Sequence, residues 1–535
     1  MTIEPNQKYN IIQPLLLACV MAIGIMIGFK IKGNNQRYAL IEKWDASEGI
    51  RQTGRVEELL RFIESKYVDS IDTDTILDDA IFALIDNLDP HSEYLTPVEV
   101  EDVNNQMEGH FKGIGVETIM IKDTATIYKV LQHSPAKKAG LLSGDKILKV
   151  DGVDVAGVLK PFSEIRTLMK KSDDKIGLQI KRGKKIMSLS AISEEIIVPS
   201  ISSAYNVNDS VIYIKIDRFG NNTYQHFMDK VESLVGKSGY KDVMIDVRGN
   251  PGGFLPEATN ILCQIFEEKN KILVTTKGKS EKKYEYKSTG KRFFNIRKVV
   301  VLVDENSASA SEILAGAIQD WDRGVVVGRR TYGKGLVQEQ YDLSNGGAIR
   351  LTIAKYFTPS GRSIQRNYDD KSKYDDDYNN RVVNGEYFDN TPPKKEKSNQ
   401  TFQSLIKKRR LESGGGIHPD VFVPLDSMFF HEKYPEIETD LIEFYLQNTQ
   451  SPSFKNIQTF DQIKSFNLKE DVYNLFLKNA NASLTKQEEE KFFPIAEKFL
   501  RLIIANIKLT DEQSVQIDNT FDETYKAGIE QFSKK

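Results

Sequence analysis

The sequence is short of cysteine, histidine and net charge, and each shortage removes a class of function. Only Cys19 and Cys263 occur in 535 residues, and Cys19 sits in an apolar N-terminal stretch, so the remainder has one thiol and no internal disulfide. Acidic and basic residues nearly cancel, 76 against 73, and a formal charge of −3 offers no electrostatic footprint for nucleic acid or another charged polymer. The six histidines do not assemble a histidine-based mechanism. No Gly-x-Ser-x-Gly elbow exists for one to serve, and His431-Glu432 lacks the second histidine of a zinc protease. Neither a metal nor a cofactor is expected.

What is present begins with length. A chain of 535 residues exceeds a single hydrophobic core and predicts about three or four domains. Ile11 to Phe29 is almost continuously apolar, broken by Gln13 and Pro14, and matches the roughly 20 residues a helix needs to cross a bilayer, so 11–31 is expected to be a transmembrane anchor. The run ends Gly28-Phe29-Lys30-Ile31-Lys32 without a small-x-small cleavage site, which predicts an uncleaved anchor behind a short cytoplasmic tail, 1–10. Leu16-Leu17-Ala18-Cys19 is only a faint lipoprotein signal, because the apolar run continues beyond Cys19. Lys8 precedes the span while Lys30, Lys32 and Arg37 follow it, a bias that on its own opposes export of the C-terminal bulk.

Beyond the anchor, 46–105 carries helical spacing, as in Leu59, Leu60, Phe62 and Ile63, and reads as a helical packing region. From 106 to 197 short β-type runs alternate with turn signals, and Ser134 to Leu141 reads as a short helix with Gly140 near its end. Ser134-Pro135-Ala136-Lys137-Lys138-Ala139-Gly140-Leu141 and Gly144-Asp145-Lys146-Ile147-Leu148-Lys149-Val150-Asp151-Gly152 resemble a PDZ domain. The resemblance implies a module that takes extended C-terminal tails as an added strand, with the terminal carboxylate received by the loop Gly113-Ile114-Gly115-Val116.

From 198 to 430 buried strands alternate with helical segments: Val211 to Ile216, Val243 to Val247, Val299 to Val303 and Gly324 to Gly328. This is an α/β core. A stretch at about 366–403, rich in Tyr, Asp, Asn and Lys, reads as an exposed polar insert within it. Residues 431–535 are charged and helical in period, and read as an appended helical domain.

Three loops of the core carry chemistry. Val299 to Val303 leads into Ser307-Ala308-Ser309-Ala310-Ser311-Glu312 and a helix, whose N-terminus offers free N–H groups and a partial positive charge to an oxyanion. Ser309-x-x-Glu312 has capping-box spacing as well, so the serine motif alone fits an ordinary helix cap equally. Lys334, between Gly333 and Gly335 after the next strand, is the candidate base. Serving at neutral pH requires its pKa to fall from about 10.4 to roughly 7 or 8, near 4 kcal/mol of burial and hydrogen bonding. Gln338, four positions on, can accept from the amine without favouring its charged form. The third loop, Gly249-Asn250-Pro251-Gly252-Gly253, can present N–H groups to an anion, and it lacks the Gly-Lys-Ser/Thr ending of a phosphate loop.

Together with Asp89-Pro90-His91-Ser92-Glu93-Tyr94-Leu95, these motifs resemble the carboxyl-terminal processing, or tail-specific, protease family over about Leu84 to Val423, the insert excluded. The resemblance implies a ClpP/crotonase-like α/β protease core with an inserted, mostly β PDZ domain. It also implies roles: Ser309 as nucleophile rather than Ser307 or Ser311, Lys334 as base, Gln338 orienting the lysine, and Ala310 with Gly252 or Gly253 as backbone oxyanion donors. Substrates would be protein tails with apolar C-termini, cut through an acyl-enzyme. The catalytic part would lie in the periplasm, outside the cytoplasmic (inner) membrane, with the oligomeric state open and a homo-oligomer included. One departure is visible, since Met169-Lys170-Lys171-Ser172-Asp173-Asp174 stands where the family has an Arg-Gly-x-x-Gly-Thr turn. The competing reading is an inactive PDZ scaffold or chaperone for unfolded tails, against which the joint presence of Ser309, Lys334 and Gln338 weighs.

Overall fold

The structure, a computed structural model, describes residues 46–157, 162–170, 175–236, 240–280, 282–389, 401–426, 432–480 and 484–534. The expected tail and anchor, 1–31, lie outside the described residues, as do 171–174 of the PDZ departure and 390–400 of the insert. Among the described residues no helix is long and apolar enough to cross a membrane. The chain divides into two compact units, 1–84 and 85–535. The first holds the helix Ala46–Lys66 and most of the helix Thr73–Asp86, as the 3.6-residue spacing of its apolar positions requires.

The second unit is organised around a six-stranded sheet with the order Ile201–Asn206, Val211–Ile216, Tyr240–Asp246, Asn295–Val303, Val325–Gly328 and Val421–Phe422. The first pair is antiparallel and all later pairs are parallel. Parallel strands need cover on both faces, and period-2 alternation supplies apolar side chains to each. Ile212, Ile214, Ile245, Val299, Val301 and Val303 pack into one core with the helices Thr223–Val235, Leu255–Ile265 and Ala310–Asp320. Their alternates Tyr213, Met244, Val300, Leu302 and Val327 face the last helix of the chain, Glu523–Ser533. That helix approaches closely enough for Gly528 to lie over Leu302, Met244 and Val300.

A second, antiparallel sheet carries Glu93–Leu95 beside Ala348–Phe357, which also pairs with Leu336–Asp342 and with Ile272–Gly278. Glu93–Leu95 therefore belongs to this sheet and not to the helical region expected over 46–105. Three residues are too few to show a period in sequence.

The sheet of the region expected as PDZ runs Val116–Ile121, Thr124–Val130, Lys146–Val150, Lys175–Arg182 and Lys185–Ile192, and His110–Gly113 pairs with Glu194–Ile197 in a separate antiparallel ribbon. Its outer side meets the C-terminal helices. Ile121 belongs to the core of that bundle, Lys146 pairs with Glu443 at 3.3 Å, Lys129 with Asp511 at 2.5 Å, and Asn506 donates to the Tyr128 hydroxyl at 3.4 Å. The C-terminal domain thus touches this sheet at one end and the six-stranded sheet at the other.

Most described residues of the insert are exposed, but a few of its side chains are buried. Residues 371–375 and 377–383 are helical, and Tyr374, Arg381 and Tyr387 are 5%, 3% and 2% exposed. Arg381 donates to the carbonyls of Arg330, Thr331 and Tyr332 and pairs with Asp377. The burial is carried by tyrosine rings and paired guanidinium groups, which a count of aliphatic residues does not detect.

Ile121→Ala should cost about 2–5 kcal/mol, because its side chain fills the bundle and not the PDZ core; urea denaturation followed by circular dichroism measures it.

Candidate active site

The strand Asn295–Val303 ends in a turn that uses two of its three serines structurally. The Ser307 hydroxyl donates to the Val247 carbonyl at 2.8 Å, and that of Ser311 to the Asn250 carbonyl at 3.0 Å; both residues are fully buried. Ser309 is only partly buried and holds φ +53°, ψ −113° at the head of the helix Ala310–Asp320. A non-glycine residue in that region is strained by roughly 1–3 kcal/mol and persists only where its surroundings over-determine it. Geometry therefore separates Ser309 from its neighbours independently of any resemblance.

The surroundings that hold it converge on Glu312. This carboxylate is completely buried and accepts from the Ser309 N–H at 2.9 Å, the Lys334 N–H at 2.8 Å, the Gly333 N–H at 2.8 Å and the Thr331 hydroxyl at 2.6 Å. Burial pushes its pKa up, and the four donors pull it back. The Tyr356 hydroxyl lies between the carbonyls of Ser309, at 3.0 Å, and Lys334. Two loops from different strand ends are thus joined through one carboxylate and one phenol. The Ser-x-x-Glu spacing was visible in sequence, but its glutamate reads there as a cap and not as the link to the lysine loop.

Lys334 donates from Nζ to Gln338 Oε1 at 2.8 Å. Burial, then the nearby Arg350 charge, lowers its pKa, the direction a general base requires. Gly333 has φ +90°, and a Cβ there would fall 2.5 Å from Arg366 Cγ. Glycine at this position lets the chain cross beneath the insert.

The third loop lies against the serine. A Cβ on Gly252, φ +105°, would lie 2.7 Å from Ser309 Cβ and 3.0 Å from the Ala310 nitrogen. Asn250 is fully buried and braces the loop, donating to the Ile216 carbonyl at 2.9 Å and accepting from the Gly252 N–H at 2.8 Å. The Gly252 N–H is therefore committed, which removes it from the pair expected as oxyanion donors. Gly253 and Ala310, the latter at the first position of its helix, are the remaining candidates.

In the PDZ domain, Gly113 closes the strand His110–Gly113, Ile114 is buried, and the Ile114 carbonyl accepts from the Ala136 N–H at 2.8 Å. Gly115 has φ +79°, and a Cβ there would sit 2.3 Å from Ser134 Cβ. Together with Val116 these residues border a cleft of about 470 Å³ that also reaches Asp102, Arg166, Met169, Lys170 and Arg218. Lys170, at the departure from the family turn, pairs with Asp102 across it.

Comparison with known proteins follows the same division. Residues 210–371 match peptidase family S41 and residues 113–192 match the PDZ domain family. A carboxy-terminal-processing protease of Bartonella bacilliformis is 31% identical over 321 residues, covering 59% of this chain and 73% of that protein. A probable CtpA-like serine protease of Staphylococcus aureus (strain COL) is 32% identical over 333 residues, covering 62% of this chain and 65% of that one. Among solved structures, a photosystem II D1 C-terminal processing protease aligns with a TM-score of 0.36 and 23% identity, covering 70% of this chain and 89% of that one.

Glu312→Ala should lower stability by about 3 kcal/mol or more, since each orphaned buried donor costs roughly 1–3 kcal/mol. Glu312→Gln, which turns an amide toward N–H donors, should fall between it and the parent in the same urea titration.

Proposed function

The chain belongs to the carboxy-terminal-processing proteases, serine-type peptidases of family S41 with a PDZ domain, and from that premise we propose that Ser309 and Lys334 cut protein tails by an acyl-enzyme mechanism. Lys334 Nζ takes the proton of Ser309 Oγ as that oxygen attacks the peptide carbonyl. The Ala310 and Gly253 N–H groups receive the oxyanion, and the helix N-terminus adds its partial positive charge. Collapse of the tetrahedral intermediate breaks the C–N bond, and the lysine returns its proton to the leaving amine. Water, deprotonated by the same lysine, then hydrolyses the ester. Gln338 keeps the amine on line between steps. The observation that carries this reading is the Glu312 carboxylate, which ties the Ser309 and Lys334 main chains together while Lys334 Nζ rests on Gln338.

The PDZ loop 113–116 is read as the receptor for the substrate's terminal carboxylate, with apolar side chains preferred beside it. The apolar run 11–31 is read as a single-pass anchor that leaves the peptidase outside the cytoplasm; its length supports this, and its flanking charges do not.

Ser309→Ala and Lys334→Ala, folded as judged by circular dichroism, should each digest casein at least about 10³-fold more slowly than the parent. Parent-like digestion by either variant would remove the assignment. Because the lysine must be neutral to act, kcat/KM should rise with pH through a limb below the ordinary lysine value of about 10.4. On the intact enzyme, changing a substrate's apolar C-terminal residue to aspartate should raise KM about tenfold, roughly 1.4 kcal/mol of binding, with kcat little changed.

A further inference from the structure

A glutamine side chain has two unlike ends, and which end meets Lys334 depends on what holds the other. Gln338 Oε1 accepts from Lys334 Nζ, while Gln338 Nε2 donates to the main-chain carbonyl of His91. Turning the amide over would set NH2 against the amine and oxygen against a carbonyl. The His91 carbonyl is therefore what directs an acceptor at the lysine.

His91 is held from two sides. Its N–H donates to Asp89 Oδ1 at 2.9 Å, and Asp89 also accepts from Ser92 and from the Thr352 hydroxyl at 3.0 Å. Its ring meets Tyr374 of the insert edge-on at 5.6 Å, with Nε2 2.5 Å from the Tyr374 hydroxyl. Burial, and then the Lys334 charge, lowers the His91 pKa to about 4, so near neutral pH the imidazole is uncharged and its Nε2 shares a hydrogen bond with the phenol.

The insert is anchored to deliver that hydroxyl. The Arg366 guanidinium lies 4.2 Å from the Tyr332 ring and 4.1 Å from the Tyr374 ring, and pairs with Asp377 at 2.7 Å. The Arg366 N–H donates to the Gly333 carbonyl at 3.0 Å, beside the lysine.

We propose that the insert is a positioning element for the catalytic base: the Tyr374 hydroxyl holds His91, and the His91 carbonyl orients Gln338 toward Lys334. The inference rests on Lys334 being the base. Tyr374 and His91 act through Gln338, so their loss should fall on the chemical step and leave substrate binding alone.

Tyr374→Phe keeps the buried ring and removes only the hydroxyl. It should lower kcat roughly 3- to 10-fold, the value of one hydrogen bond, with KM within about twofold. The acid limb of its pH profile should move to higher pH, because a loosened amide leaves the lysine more hydrated among Arg350, Glu93, Asp89, Glu312 and His91. His91→Ala, which keeps the carbonyl but releases it, should match this, and the double variant should be no worse than either single one. Unchanged kcat and pH profile in Tyr374→Phe, a rise in KM alone, or full additivity in the double variant would each overturn the proposal. Lys334→Ala, run alongside, separates the failures: if it stays active the base assignment itself is wrong, whereas if it is inactive and Tyr374→Phe is parent-like only the positioning role is lost.

Discussion

One buried carboxylate sets the geometry on which the rest of the active region depends. Glu312 is shut off from water, and an isolated charge there would be costly, so its four donors are needed to hold it. Two of those donors are the main-chain N–H groups of Ser309 and Lys334. The same contacts that satisfy the carboxylate therefore determine the separation of the two loops. They also supply the over-determination that a residue at φ +53° requires, which explains how a strained serine persists at the head of a well-formed helix.

The loops can meet because their strands are neighbours in a parallel sheet. Asn295–Val303 lies between Tyr240–Asp246 and Val325–Gly328, so the C-terminal ends of all three strands open on one edge. Ligand sites in parallel sheets gather at such edges. Glycine then makes the packing close enough, at Gly252 against Ser309 and at Gly333 beneath Arg366, where any side chain would collide with a neighbour.

The appended segments are structural parts of this arrangement. The last helix covers the second face of the protease sheet, and Arg248, at the exit of the strand Tyr240–Asp246, bridges Asp246 to Asp522 of the C-terminal domain at 2.7 Å. The same domain accepts Ile121 of the PDZ sheet into its core. The PDZ cleft and the edge that carries Ser309 and Lys334 are thereby referred to a common support. The insert plays a comparable part on the other side, with Arg381 satisfying three carbonyls of the segment that precedes Lys334.

Sequence alone determined the local grammar. Continuous aliphatic runs such as Val299 to Val303 announce strands buried on two faces, Ser-Pro-Ala at the PDZ helix announces a capped turn, and glycines beside Lys334 announce a tight crossing. These signals are local, so residues a few positions apart suffice to show them. Which serine is strained, which glycine N–H remains uncommitted, what covers the second face of the sheet, and why Tyr374 is buried were decided only by the tertiary structure. Each of those depends on which groups meet in the folded chain: Glu312 with Lys334, Asn250 with Gly252 and Ile216, Leu302 with Gly528, His91 with Tyr374. Contacts of this kind leave no periodic trace in a sequence, because a hydrogen bond or a close approach constrains two positions and nothing between them.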